Sequence, residues 1–279
     1  GRIGQLDIGK SSQAIYWNMC ETFFDFWLRG TDNNFDQIPR VQFFTMGTNQ
    51  WHKGNEWPPA GIAICDYYLH GQGKAHLAES DGVLDLTPPT SDEAHDNYTY
   101  NPSKPVDMTL NLDFWDIARC LRDRSQLPKR EDVLVYDTPP LADNLEITGP
   151  ISVTLYASSS AVDTDFTATL IDLFPNGYAH LIQEGIVRAS FRHPDRPPSP
   201  IEPGQVYEYD IDLWVTSYVI KAGHRMRVEI SSSNFNRFDP NPNTGEPFGT
   251  ATDPIAAKQQ VFHSAEYPSR ITFLTNQDR

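Results

Sequence analysis

The alternation along "VYEYDIDLWVTSYVI", residues 206–220, constrains the fold more than any other feature of this chain. Tyr207, Tyr209, Ile211, Leu213 and Val215 alternate with Glu208, Asp210, Asp212 and Trp214. "HRMRVEISSS" sets Met226, Val228 and Ile230 against Arg225, Arg227 and Glu229, and "ISVTLYA" sets Ile151, Val153 and Leu155 against Ser152, Thr154 and Tyr156. A period of two sends one set to a core and the other to water. Antiparallel sheets with one wet face give this pattern. Two such sheets packed face to face make a sandwich or jelly roll. The expected fold class is therefore mainly β, a jelly-roll β-sandwich.

"TDFTATLIDLFPNGYAHLIQEGIVRASFR", residues 164–192, reads as a hairpin about Pro175-Asn176-Gly177. Phe166, Ala168 and Leu170 share one side, and Arg188 and Arg192 are expected to pair with acids. "RVQFFTM" and "AGIAICDYYL" read as further strands, divided by the Pro58-Pro59 break. "WHKGNEWPP" puts Trp51 and Trp57 near a loop, where they are expected to plug the end of the sandwich rather than stack on a sugar or a flat substrate. The 22 prolines and 17 glycines fall between short apolar runs, as an all-β chain requires. Residues 71–132 are the least regular stretch and hold one short helical candidate, "FWDIARCLRD".

One stretch is clearly helical. In "SSQAIYWNMCETFFDFWLRG", Ile15, Met19, Phe23, Phe26 and Trp27 recur at helical spacing, which predicts a helix over 14–28. Ser11 or Ser12 can cap its start and Gly30 can end it. A helix this apolar has to lie against something. It could also hold two copies of the chain together. The opening residues lack an initiator Met and the order of a signal peptide, and read as a cut from something longer.

The net charge of −15 argues against nucleic acid and anionic membrane surfaces as partners. No apolar run reaches the length of a membrane span. Cys20, Cys65 and Cys120 are too few and too far apart for a disulfide framework or a zinc pattern. Free thiols favour a reducing compartment, hence a cytoplasmic location. Asn97-Tyr98-Thr99 is a formal glycosylation triplet of a kind that arises by chance.

No Gly-x-Ser-x-Gly pentad occurs; the nearest approach, "GKSSQA", is better read as a helix cap. The eight histidines show no ligand spacing, so neither metal nor cofactor is expected. "DPNPNTGEPFGT" places Asp239, Asn241 and Asn243 like calcium ligands. It then has Thr244 where Gly is needed and Thr250 where Glu is needed, so it reads as a structural loop.

Four long motifs are more specific than composition. "VLVYDTPPLADNLEITGPISVTLYASSSAVDTDFTATLIDLFPNGYAHLIQEGIVRASFR", "IEPGQVYEYDIDLWVTSYVIKAGHRMRVEISSSNFNRFDPNPNTG" and "HSAEYPSRITFL" resemble the C-terminal β domain of the X-Pro dipeptidyl-peptidase and cocaine-esterase-like serine hydrolases. "FFDFWLRG" followed by "VQFFTMGTNQWHKGNEWPP" is similar to that family's junction between its α/β-hydrolase domain and its β domain. The resemblance implies a galactose-binding-like jelly roll over 40–279. It makes residues 1–39, with their one helix, the tail of an α/β-hydrolase domain. It implies that the Ser-Asp-His triad belongs to that other domain, before residue 1, so no catalytic residue carries over. The chain would then be an accessory domain that helps wall an active site, with the missing hydrolase domain as its partner. In the family, the loop leading into the "VLVY"-type strand tends to approach the active site, which makes Phe114 and Trp115 candidates for the pocket rim. The competing readings are a stand-alone carbohydrate- or ligand-binding module, which has no need of the apolar helix, and an intact enzyme of another type, which lacks its motif.

Overall fold

The structure is a computed structural model that describes residues 1–10, 14–76, 80–107, 123–125, 129–247 and 249–276, with no side-chain description for 14–16. The caps Ser11 and Ser12, Cys120, the pocket-rim candidates Phe114 and Trp115, and the "FWDIARCLRD" helix up to residue 122 lie outside the described residues. In chain order the elements are β1 (Arg2–Ile3), β2 (Leu6–Asp7), α1 (Ala14–Arg29), β3 (Val41–Thr45), β4 (Gln50–Gly54), β5 (Ile62–His70), β6 (Val83–Asp85) and β7 (Asp96–Tyr100). They continue with β8 (Leu134–Asp137), β9 (Leu145–Ser159), β10 (Asp165–Leu173), β11 (Ala179–Arg188), β12 (Tyr207–Ile220), β13 (Arg225–Ser231), β14 (Ala257–Phe262) and β15 (Arg270–Asn276). The mainly-β expectation holds, with one α-helix among the described residues.

Eleven strands form one sheet in the order β11-β10-β13-β8-β6-β5-β15-β9-β14-β7, with β12 also paired to β9. Val153 of β9 pairs with Ile211 on one side and Ile271 on the other, so β9 is enclosed by β12 and β15. The sheet folds over itself. Phe166 of β10 lies 4.8 Å from Tyr209 of β12, ring to ring, across the interior. Ile151, Val153 and Leu155 meet Ala168, Leu170, Val228 and Ile230 in one fully buried cluster. Each such side chain contributes about 1.5–3 kcal/mol on leaving water. Leu6 and Ile8 join the same cluster, so the first residues of the chain are tied to this core.

The hairpin β10–β11 forms as the sequence predicts, with Gly177 at φ +86° in its turn. Arg188 makes a two-pronged pair with Asp165, at 2.9 and 3.2 Å. Arg192 does not pair with an acid. It donates to the carbonyls of Ala189 and Ser199 and lies over the Tyr207 ring, because the strand has already ended in a 3-10 turn. The 239–250 loop is structural where described: Asn241 donates to Asp163 and Asp165.

Three departures from simple alternation matter. Alternation places Glu229 on the wet face of β13, yet it is buried, because Arg124 covers that face. Alternation places Val215 in the core, yet it is half exposed, because the register slips between Asp212 and Val215. Trp51 follows the turn after β3. It belongs to β4, whose partner β3 supplies Phe44 at 5.5 Å, while Trp57 packs on Phe43 at 5.2 Å. Met46, just past β3, then hydrogen-bonds along the edge of β12: its N–H donates to the Ser217 carbonyl and its carbonyl accepts from Val219.

Candidate functional site

The most unusual surface belongs to α1. Trp17, Trp27 and Leu28 are 75, 63 and 77 % exposed, and Phe23 and Phe24 are also open to solvent. The helix ends at Gly30, whose φ of +68° suits a C-terminal cap, and Arg29 pairs with Asp25 one turn back at 2.9 Å. Its cover among the described contacts comes from the chain just downstream. Phe35 inserts between Phe23 and Phe26, and Asn33 donates to the Thr22 carbonyl. Between the helix and residues 35–42 runs a groove of 630 Å³, lined by Met19, Cys20, Phe23, Phe35, Ile38 and Pro39 among others. Several large apolar side chains open on one helix mark an interface rather than a finished surface.

The polar groups of the chain are arranged differently. His263 is fully buried, with Nδ1 3.2 Å from Glu93 Oε2 and Nε2 3.0 Å from Asp96 Oδ2. Tyr136 and the Ala75 amide also donate to Asp96. Burial pulls the Asp96 carboxyl upward, but the hydrogen bonds from His263, Ala75 and Tyr136 together hold it below the usual carboxylate range. At the other end, Asp172 receives the Tyr218 hydroxyl at 2.8 Å and stands 2.7 Å from His224 Nδ1; burial prevails and its pKa is raised. These clusters tie loops to strands. Among the described residues no group of three His, Cys, Asp or Glu side chains is arranged to hold a metal. A cleft of 890 Å³ lies over β7, β14 and the end of β9, where Gln260 accepts from Ser158 and donates to Asn97.

The stretch that carries Phe114 and Trp115 is pinned on both sides. Upstream, Asp107 bridges to Phe235, and the Val106 amide donates to Ser233. Downstream, the Arg124 amide donates to the Ala179 carbonyl, and its guanidinium reaches Glu229 at 2.8 Å. Burial raises the pKa of Glu229 despite the pull of Arg124. Trp214 lies on the outer face, where alternation puts it, but its backbone conformation is not legible from that pattern. Trp214 is 66 % exposed and sits at φ +67°. The signal was the run Leu213-Trp214-Val215, three apolar residues in a row where strict alternation allows two.

Over residues 33–272 the sequence matches the X-Pro dipeptidyl-peptidase C-terminal non-catalytic domain. It is 39 % identical over 256 residues to the cocaine esterase of Rhodococcus sp. (strain MB1 Bresler), covering 91 % of this chain and 44 % of that protein. The fold is similar to that of an aminopeptidase from a marine sediment Thaumarchaeota archaeon, with a TM-score of 0.82 and 29 % identity, covering 96 % of this chain and 45 % of the other. It is also similar to an α-amino acid ester hydrolase, with a TM-score of 0.77 and 29 % identity, covering 92 % and 44 %. The chain thus spans less than half the length of each.

Proposed function

The chain belongs to the X-Pro dipeptidyl-peptidase C-terminal non-catalytic domain family, and from that membership we propose that it docks through α1 on the catalytic half of a serine hydrolase and helps wall its active site. The carrying observation is the row of aromatic and aliphatic side chains on α1 that stand exposed among the described residues. Docking removes those side chains from water and excludes water from the pocket that the two halves enclose. Residues 1–39 are then the tail of the α/β-hydrolase half, and 40–279 the accessory domain; the family match beginning at residue 33 supports that division. The Leu6 and Ile8 contacts anchor the tail to its neighbour. A jelly-roll, galactose-binding-like description suits the antiparallel order and the folded-over sheet.

The Ser-Asp-His triad lies in the catalytic half, and the bond cleaved is an ester or amide. The similarity to an esterase, an aminopeptidase and an amino acid ester hydrolase supports that range. Phe114 and Trp115 stand at the rim of the acyl pocket, on a stretch whose ends are fixed at Asp107 and Arg124. An aromatic wall suits a flat acyl group because it buries area at small entropy cost.

The test compares the chain with the full-length hydrolase on an aryl ester and an X-Pro amide. The chain alone is expected to give no turnover. Label from a Ser-directed covalent inhibitor should map outside it; label within it would refute the reading. In the full-length enzyme, Phe114→Ala or Trp115→Ala should lower kcat/KM for bulky acyl groups far more than for acetyl. An equal loss for both substrates removes these residues from the rim.

A further inference from the structure

Trp214 is held in an expensive conformation to no purpose that this chain itself reveals. Four non-glycine residues have positive φ among those described, and the other three are all asparagine. Asn tolerates the left-handed region; a bulky aromatic residue does so only under constraint. Three devices supply the constraint. The Asp212 carboxylate accepts the Trp214 amide at 2.7 Å. Gln183 of β11 donates to the Val215 carbonyl at 2.6 Å. Gly185 of β11 leaves room for the Asp212 carbonyl, which would lie 2.1 Å from any Cβ at that position. The result is a bulge that turns both Trp214 and Val215 outward, 66 and 49 % exposed. Bulges re-aim side chains, and strain of this kind persists where the surroundings enforce it.

We propose that Trp214 and Val215 form a second anchor for the catalytic half, seated beside the α1 surface; this rests on the docking function proposed above. The occupant follows from what adjoins the bulge. Ser217, two residues along, shares a short 2.7 Å hydrogen bond with Thr45 of the β3–β4 hairpin, and Met46 pairs with the β12 edge on either side of Tyr218. That hairpin continues directly from α1 through residues 30–40. The bulge therefore adjoins the hairpin that follows the helix in the chain. The chain covers 44 % of its esterase relative, so a partner domain of comparable size remains to meet it. Trp is enriched among the residues that carry most of the energy of such contacts.

Strain and contact make opposite predictions, and this separates them. In the 279-residue chain, Trp214→Gly relieves the left-handed backbone and removes a solvent-exposed ring. Its Tm should rise by about 2–4 °C. In the full-length hydrolase the same change deletes an anchor, and the Tm should fall. Trp214→Asn repeats both measurements without adding backbone freedom. A fall in the isolated chain would mean that the domain's own contacts hold the indole, and overturns the proposal. An equal rise in both proteins overturns it too. So does a dimer of the isolated chain that Trp214→Gly dissolves, since a second copy would then be the occupant. Leu28→Ser on α1 is the reference. If it destabilises the full-length protein while Trp214→Gly does not, only the second anchor fails. If neither does, the docking function fails with it.

Discussion

Arg124 shows how far a single residue can alter the reading of a strand. It is buried at 4 % exposure, with Nε on Glu229 and Nη1 4.0 Å from Glu184 Oε2. Glu184 in turn accepts from Asn234 and pairs with Arg237. Alternation along β13 places Glu229 in water because it reads one strand at a time, whereas the cover comes from a residue far away in sequence. The pattern of β13 was legible; the ion that closes its outer face was not. Arg124→Met should cost about 3 kcal/mol at pH 7, because it leaves a buried carboxylate without its counter-charge. The pH dependence has a definite sign. Burial already lifts the Glu229 pKa above its unfolded value, and losing Arg124 lifts it further. A raised carboxyl penalises the fold above its folded pKa, and the penalty fades as pH falls through that value. Urea melts of the variant at pH 7 and pH 5 should therefore converge on wild type at the lower pH.

The strands themselves were the most legible elements, since each long one carries its period in its own residues. Two features escaped for the same reason. The β3–β4 hairpin joins Phe44 to Trp51 and Phe43 to His52, and such cross-strand aromatic pairs show only once the register is known. The β12 bulge depends on Gly185, a residue of the neighbouring strand. Gly185→Ala should cost about 3 kcal/mol, because its methyl would meet the Asp212 carbonyl and neither backbone can yield freely. Gly223→Ala is the control. Its φ is +82°, but nothing lies within 4 Å of the new atom, so strain alone should cost about 1 kcal/mol. Urea midpoints at unchanged slope distinguish the two.

For the whole molecule, the family signature was readable because four motifs run in order through the chain, and the α1 surface was readable as a face too apolar for water. How that face is covered was not, since under the proposed docking its cover comes from another domain. In isolation the chain should self-associate at micromolar concentration, and Trp27→Ser combined with Leu28→Ser should shift sedimentation toward monomer. A monomer at every concentration in the parent chain would contradict this. The position of β9 bears on how such a chain is made. One flank of this strand is closed by β12, and the other by β14 and β15, the last strands described. When the ribosome has finished β9, its neighbours have yet to be synthesised: one edge stands open until residues 207–220 emerge, and the other until residues 257–262 and 270–276 do. Closure over such sequence distances is slow. Loss of even the final strand would leave a long apolar edge bare, so truncation from the C-terminus should yield aggregates rather than a smaller domain.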